Sequence, residues 1–304
     1  MRLEVYICSD FLLFDFIHVE MLLHVNVQWE EMTMTAEPTS ADVGAYYDRV
    51  SDMFAAAMGG NVHVGYWHDE SDDSSIEVAT DRLTDMVGER LALSQGQHVL
   101  DVGCGNGKPA HRIATRNGVH VTGITISEHQ LRQALERVKD APDLLRFELA
   151  DALRLPFGDG SFDGVFAIES LGHIADKITA LGEMGRIVRP GGRLVFADLT
   201  GVLGEDGQAG KETEASAQML MVAGLPTADQ YRELIQAAGF DVLEVVDIGE
   251  NTRKTYDHVA DVLKATAADF KAEGQDVPDD AELEELSDSD EMTYVLITAV
   301  RRAE

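Results

Sequence analysis

Residues 101–107 carry the residue types that most clearly indicate chemistry. Gly103, Gly105 and Gly107 alternate with other residues there, directly after an apolar run. Glycine lacks a Cβ, so a ligand can approach the backbone closely at these positions. Asp101, at the end of the apolar run, can act electrostatically on an ammonium group of that ligand. The loop therefore predicts a site for a small ligand at the end of a buried strand.

The spacing of the glycines separates two classes of cofactor. The dinucleotide fingerprint is Gly-x-Gly-x-x-Gly, but the third position after Gly105 is Lys108. A nicotinamide cofactor also needs an acid after the second strand, and residues 123–127 contain none. Thr125, Ser127 and Gln130 can supply hydroxyl and amide contacts instead, although Ser127 suits a helix cap equally well. The pattern favours S-adenosylmethionine over a nicotinamide cofactor.

Two further sets of side chains extend this prediction. Asp151 follows another apolar run, and its carboxylate can accept from an adenine amino group while Ala152 and Leu153 flank the ring. The alternative for Asp151 is a solvated loop residue. Met219 and Met221 suit an adaptable apolar wall of an acceptor site, although core packing explains them nearly as well.

The elements that position these residues alternate between strand and helix. We predict strands at 97–102, 119–124, 145–149, 162–167, 193–198, 241–247 and 292–300, and helices at 108–116, 128–138, 178–188 and 227–238. A turn is predicted at Pro190, Gly191 and Gly192. Strands and helices that alternate with short loops indicate an α/β fold, a Rossmann-like, mostly parallel sheet of seven strands with helices on both faces.

We divide the chain into five parts. They are an N-terminal extension at 1–34, a helical lid at 35–95, a cofactor-binding core at 96–200, a cap insertion at 201–226, and the rest of the core at 227–304 with a cap helix at about 251–291. Acids interrupt the apolar runs of residues 1–34, which therefore predict neither a membrane span nor a signal peptide. A start further downstream, at Met32 or Met34, and an arm that packs on a second subunit are both open, so a homo-oligomer is too.

Several segments together resemble a known family. They are residues 99–107, 123–127, Asp151 with 155–157, 161–163, and 188–192. These look like class I S-adenosylmethionine-dependent methyltransferases, over about residues 41–300. Residues 61–67, 107–110 and 169–173 are further similar to bacterial natural-product methyltransferases of the rebeccamycin-type sugar O-methyltransferase group, whose members methylate hydroxyls, amines and carbon centres.

The resemblance implies methyl transfer to a small-molecule acceptor, with a hydroxyl oxygen as the favoured target. A hydroxyl needs a base as well as alignment, and the resemblance assigns His173 as general base with Asp198 orienting it or stabilising its charged form. The predicted cofactor contacts are Tyr47, Trp67, Asp101, Gly103, Gly105, Asn106, Lys108, Thr125, Ser127, Gln130, Asp151, Ala152, Ile168 and Glu169, and the predicted acceptor contacts are Tyr46, Gly172, Met219 and Met221.

Alternatives stay open at each of these points. The family has a pair of histidines where this chain has Gly172 and His173, which keeps carbon or nitrogen methylation of an indole, prenyl or amine acceptor as the second prediction. His173 can also be a core or capping residue. The lid aromatics can cover the sulfonium or simply pack a helix. A protein that binds the cofactor without transferring methyl, and a nicotinamide oxidoreductase, are the rival classes.

Composition limits the partners. The net charge of −31 repels phosphate backbones and anionic lipids, so neither nucleic acid nor a membrane is an expected partner. The two cysteines cannot form a disulfide framework, which fits a cytoplasmic protein. His63 and His68 lack a third ligand at metal spacing, so no metal site is predicted.

Overall fold

Seven strands form one sheet in the order β3-β2-β1-β4-β5-β7-β6. The computed structural model describes residues 38–202, 221–259, 261–262, 265 and 292–303. The strands are β1 (His98–Val102), β2 (His120–Thr125), β3 (Leu145–Leu149), β4 (Phe162–Ile168), β5 (Val188–Gly201), β6 (Phe240–Asp247) and β7 (Met292–Arg301). Strands β1 to β5 are parallel, and β7 runs antiparallel between β5 and β6. The predicted α/β fold is confirmed.

Most of the helices begin where the sequence offers a capping side chain. They are α1 (Ser40–Ala57), α2 (Ile76–Leu91), α3 (Lys108–Asn117), α4 (Glu128–Arg137), α5 (Lys177–Ile187), α6 (Ala228–Ala237) and α7 (Gly249–Thr252). Thr39 and Thr227 form capping boxes with residues three further on, and Ser127 accepts from the Gln130 amide. None of the described helices is long and apolar enough to cross a membrane.

Both faces of the sheet are buried, as the apolar runs predict for parallel strands. One cluster contains Val99, Phe166 and Val195 and packs against helices α2 to α4. The other contains Leu100, Val165 and Phe196 and packs against α5 and α6. Alternate residues of β1, β4 and β5 therefore face opposite layers, which holds the carboxyl ends of these strands in a fixed arrangement.

The predicted turn at residues 190–192 lies inside a strand. β5 starts at Val188, which pairs with Phe162, and the pairing resumes at Arg193 with Gly164. The extra residues between these pairs form an irregularity in the ladder, where Gly191 takes φ +78°. The prediction started the strand five residues late because the Pro-Gly-Gly sequence is typical of a turn, and only the pairing with β4 extends the strand through it.

Three predicted segments lie wholly or partly outside the described residues. Residues 1–34 fall there, as does most of the cap helix predicted at about 251–291, and β7 begins directly after it. The cap insertion at 201–226 is described only at its two ends, so Met219 lies outside the description while Met221 lies within it.

Candidate active site

The glycine loop follows β1 directly and turns into α3. Gly103, Gly105 and Gly107 all have positive φ, at +75°, +52° and +75°, which glycine adopts without strain. Each glycine also faces protein atoms. A Cβ at Gly103 would overlap Ser170, one at Gly105 would lie 2.6 Å from Val62, and one at Gly107 would lie 2.8 Å from Phe147. These glycines therefore allow tight packing of the loop against β4, the lid and β3, in addition to the ligand approach that the sequence predicts.

A cavity of about 530 Å³ opens at the carboxyl ends of β1, β2 and β4, where parallel sheets bind ligands. Ten predicted site residues line it: Tyr47, Gly103, Gly105, Thr125, Gln130, Asp151, Ala152, Ile168, Glu169 and His173. Pro38, Thr39 and Ile174 also line it and were not predicted. The Thr39-x-x-Asp42 pattern, which marks a helix start, was the signal that could have found the rim at the beginning of α1.

Nine other predicted residues that the structure describes do not line the cavity, Asp101, Asp198, Gly172 and Met221 among them. The remaining five hold its walls together. Tyr46 is buried with Val50 and Met221, and the Trp67 indole donates to Ser74 O. Asn106 donates to Gly60 O, and the Lys108 ammonium binds Gly59 O at 2.7 Å and Asp81 at 3.2 Å. The Ser127 hydroxyl donates to Asp48 at 2.6 Å and accepts from Gln130 N. Ser127 therefore caps the start of α4, which was the alternative to a cofactor contact. The contacts of Asn106, Lys108 and Ser127 anchor the lid to the core, whereas the bond of Trp67 lies within the lid.

Asp101 is buried at the end of β1. Its Oδ2 atom has no hydrogen-bond partner among the described residues, and burial raises its pKa well above the usual value. A buried carboxylate without a partner is costly, so this atom calls for a cationic or hydrogen-donating ligand. The ammonium group of the methionine part of S-adenosylmethionine is such a ligand. The residues present therefore fit that cofactor.

The end of β2 has a hydroxyl and an amide where nicotinamide sites have an acid. The Thr125 hydroxyl donates to Gln130 Oε1 at 2.8 Å and accepts from Ser127 N at 3.1 Å. Both Thr125 and Gln130 line the cavity. This pair offers amide hydrogens rather than a carboxylate, as the sequence predicts.

His173 is held from both sides of its ring. Nδ1 lies 3.0 Å from the backbone carbonyl of Met221, and Nε2 lies 2.8 Å from the Tyr47 hydroxyl. A carbonyl only accepts, so Nδ1 carries the proton and Nε2 of the neutral ring accepts from Tyr47. Burial lowers the pKa of His173, which keeps the ring neutral near pH 7. The ring can therefore take up a proton at Nε2.

Asp198 does not hydrogen-bond to His173 in the structure. Its two oxygens accept from Gly172 N at 3.0 Å and Leu199 N at 2.9 Å. The contact that orients the imidazole comes instead from the Met221 carbonyl, a partner that was not predicted. Burial raises the pKa of Asp198 to about 6, so the carboxylate is mostly charged at pH 7 and fixes the loop that carries His173.

Glu169 lies at the cavity wall with a left-handed backbone, φ +49°. Its Oε1 atom accepts from Val64 N at 2.7 Å and from the Tyr294 hydroxyl at 3.0 Å. Burial raises the pKa of Glu169 to about 7. Non-glycine residues with such a backbone cluster at active sites and ligand-binding loops, and Glu169 also joins β4, β7 and the lid. Among the described residues, no three His, Cys, Asp or Glu side chains come together as metal ligands.

The sheet order, the glycine loop after β1 and the cavity at the carboxyl ends define a class I S-adenosylmethionine-dependent methyltransferase fold. The solved [4+2]-cyclase SpnF shares this fold, with a TM-score of 0.73 and 29% identity over 88% of this chain and 98% of its own. The family described as "Methyltransferase domain" matches residues 100–196, which include the glycine loop and His173.

Two curated relatives are more similar in sequence. O-methyltransferase resE of Aspergillus sclerotiorum is 44% identical over 72% of this chain and 83% of its own length. O-methyltransferase cnsE of Penicillium expansum is 41% identical over 88% of this chain and 94% of its own length. The chain belongs to the S-adenosylmethionine-dependent small-molecule O-methyltransferases. It is an enzyme, and its cofactor is S-adenosylmethionine.

Proposed function

We propose that the enzyme methylates a hydroxyl oxygen of a small, uncharged natural-product acceptor, with His173 as the general base. The observation that carries this proposal is the chain of contacts from Tyr47 to His173 to the Met221 carbonyl at the cavity wall. A neutral imidazole whose Nε2 accepts from the Tyr47 hydroxyl can receive a proton that Tyr47 passes on, which deprotonation of an acceptor hydroxyl requires.

Residues that line the cavity, together with the buried Asp101 at the end of β1, would hold the cofactor in one orientation. When bound, S-adenosylmethionine supplies an electrophilic methyl group. Asp101 would face its ammonium group, Thr125 and Gln130 its ribose, and Asp151 its adenine. Tyr47 and His173 line the same cavity, so the acceptor hydroxyl would lie beside them.

The acceptor's proton reaches His173 by way of Tyr47. As the acceptor hydroxyl is activated, its O–H bond would break and the proton would pass to the Tyr47 oxygen. Tyr47 gives its own proton to His173 Nε2 in the same step. Burial raises the pKa of Tyr47 well above its usual value, so a phenolate is unfavourable. Tyr47 therefore loses one proton as it gains the other. His173 ends the step protonated and later returns the proton to water.

The charge of the cavity indicates an acceptor without negative charge. None of the described residues that line it is Lys or Arg, whereas Asp151, Glu169 and Asp176 do line it. The whole chain carries a net charge of −31. Carboxylate or phosphate acceptors, nucleic acid among them, would meet repulsion without a compensating cation. An uncharged alcohol or phenol avoids that cost.

The test is turnover by the purified enzyme with S-adenosylmethionine and a panel of hydroxylated natural products, each as a free acid and as its methyl ester. S-adenosylhomocysteine release and product mass report transfer, and NMR distinguishes an O-methyl from a C- or N-methyl group. We expect His173→Ala to lower kcat by about 10²–10⁴-fold with little change in the KM for S-adenosylmethionine. His111→Ala, on α3, is the matched control and should keep full activity.

Two results would contradict the proposal. Full turnover by His173→Ala would contradict the assignment of His173 as the base. A preference for the free acids would contradict the conclusion that the acceptor is uncharged. Methylation of carbon or nitrogen would favour the alternative that Gly172 keeps open. The likeness to the [4+2]-cyclase SpnF gives a second candidate, cyclisation of a bound acceptor. Acceptor conversion without S-adenosylhomocysteine release would support it.

A further inference from the structure

Lys177 is a buried lysine at the start of α5, with 6% of its surface exposed. Its ammonium group lies among backbone carbonyls, 2.8 Å from Ala223 O and 2.9 Å from Ile174 O. Gly172 O and Gly224 O each lie 3.4 Å away. A buried ammonium is costly unless such acceptors surround it, so the local backbone is shaped around this charge.

The carbonyls come from two separate segments. Residues 172 and 174 flank His173, and residues 223 and 224 follow Met221, whose carbonyl orients the His173 ring. The same two segments are also joined by the hydrogen bond from Ala223 N to Gly172 O, at 2.8 Å. Lys177 therefore joins the loop that carries the imidazole to the stretch of chain that fixes the imidazole's direction.

We propose that Lys177 is a positioning residue that holds the His173 ring in its productive orientation through these two segments. It does not line the cavity, so the role proposed for it does not require contact with the cofactor or the acceptor. The proposal rests on the proposed role of His173 as the base. A shift of the ring by about 1 Å would cost up to about 100-fold in rate, because proton transfer requires close alignment.

A double-mutant cycle tests this role. Lys177→Met keeps the length of the side chain and removes its charge and donors. We expect it to lower kcat by about 10-fold to 100-fold while the KM for S-adenosylmethionine stays within about 2-fold. In a His173→Ala background the same substitution should lower kcat no further, because the group that it positions is already gone. Lys139→Met, at an exposed ion pair just beyond the end of α4, is the control for the loss of one charge and should leave kcat unchanged.

The outcomes separate the two proposals. If His173→Ala keeps full activity, the base assignment fails and the role of Lys177 falls with it. If His173→Ala lowers kcat and Lys177→Met lowers it further by the same factor in that background as in the wild type, only the positioning role is overturned. The positioning role is also overturned if Lys177→Met keeps the wild-type kcat. If the Lys177→Met variant fails to bind S-adenosylmethionine, we use Lys177→Gln, which keeps two donors. The same double-mutant cycle is then measured, and the same two outcomes support or overturn the positioning role.

Discussion

Gly103 shows how single residues of the site serve packing and binding together. Its backbone has φ +75°, and Ser170, at the end of β4, occupies the space that a Cβ would need. The Ser170 hydroxyl in turn donates to Val102 O at 2.6 Å and fixes β4 beside the loop. A side chain at Gly103 would therefore push the loop away from the cavity wall that β4 forms.

Gly191 offers a control for this interpretation, because it has φ +78° and no atom lies within 4 Å of the place that a Cβ would occupy. Gly191→Ala should cost only the backbone strain, about 1 kcal/mol of unfolding free energy. Gly103→Ala should cost about 1–3 kcal/mol more, because of the overlap, and should weaken cofactor affinity. Urea unfolding and calorimetry with S-adenosylhomocysteine measure the two effects. Equal losses in the two variants would show that the overlap with Ser170 has no energetic consequence.

At the scale of elements, one carboxylate joins three parts of the fold. Glu169 follows β4, accepts from Tyr294 on β7 and accepts from Val64 in the lid. Burial raises its pKa to about 7, so this link is formed by a group that is partly protonated at neutral pH. One of the contacts between the lid and the core is therefore made by a group that titrates near neutral pH.

Glu169→Gln should change how stability depends on pH. A folded-state pKa of about 7 against an ordinary value of 4.5 means that the native protein binds this proton more tightly than the unfolded chain does. The resulting stabilisation is complete below about pH 4.5 and is lost as the pH rises through 7. Glutamine keeps the acceptor oxygen and cannot ionise. The free energy of unfolding of the variant should therefore increase relative to that of the wild type as the pH rises from 5 to 8. Urea unfolding at four pH values in that range measures the difference, and a difference that is constant with pH would refute the pKa assignment.

At the scale of the whole molecule, the net negative charge is the main electrostatic feature. A net charge of −31 on 304 residues makes the compact state repel itself, although several arginines pair locally with acids. Arg112, for example, bridges Asp81 and Asp85 between α3 and α2. Such pairs offset little of the total, because the acids outnumber the bases by 55 to 24.

Salt should therefore stabilise this protein. Raising NaCl from about 0.05 to about 0.5 M shortens the screening length and weakens the repulsion, so we expect Tm to rise by about 3 °C or more at pH 7.5. The same step at pH 5, close to the isoelectric point of about 4.5, serves as the control and should have a smaller effect. Differential scanning fluorimetry measures both. A rise of the same size at the two pH values would point to a general salt effect rather than to net charge.

The elements of the core were predictable because buried strands have a strong sequence pattern. The strand at 145–149 was placed without error, and the helix after the glycine loop was one residue short. The pattern failed at β5, where Pro190, Gly191 and Gly192 favour a turn, since the pairing that extends the strand depends on a neighbour 26 residues away. Lys108 and Trp67 were placed at the site by motif, yet ion pairing and packing turn both away from the cavity.

Glycine spacing and apolar periodicity were enough to predict the fold and the cofactor class, because both depend on the types of side chain along the chain. The contacts that hold His173 could be found only in the folded chain. Its ring is oriented by the Met221 carbonyl, 48 residues away, and its loop is held by the carbonyls around Lys177. Every residue has a backbone carbonyl, so residue types do not show which carbonyl will be the partner of the ring. Only the folded chain brings the Met221 carbonyl to His173.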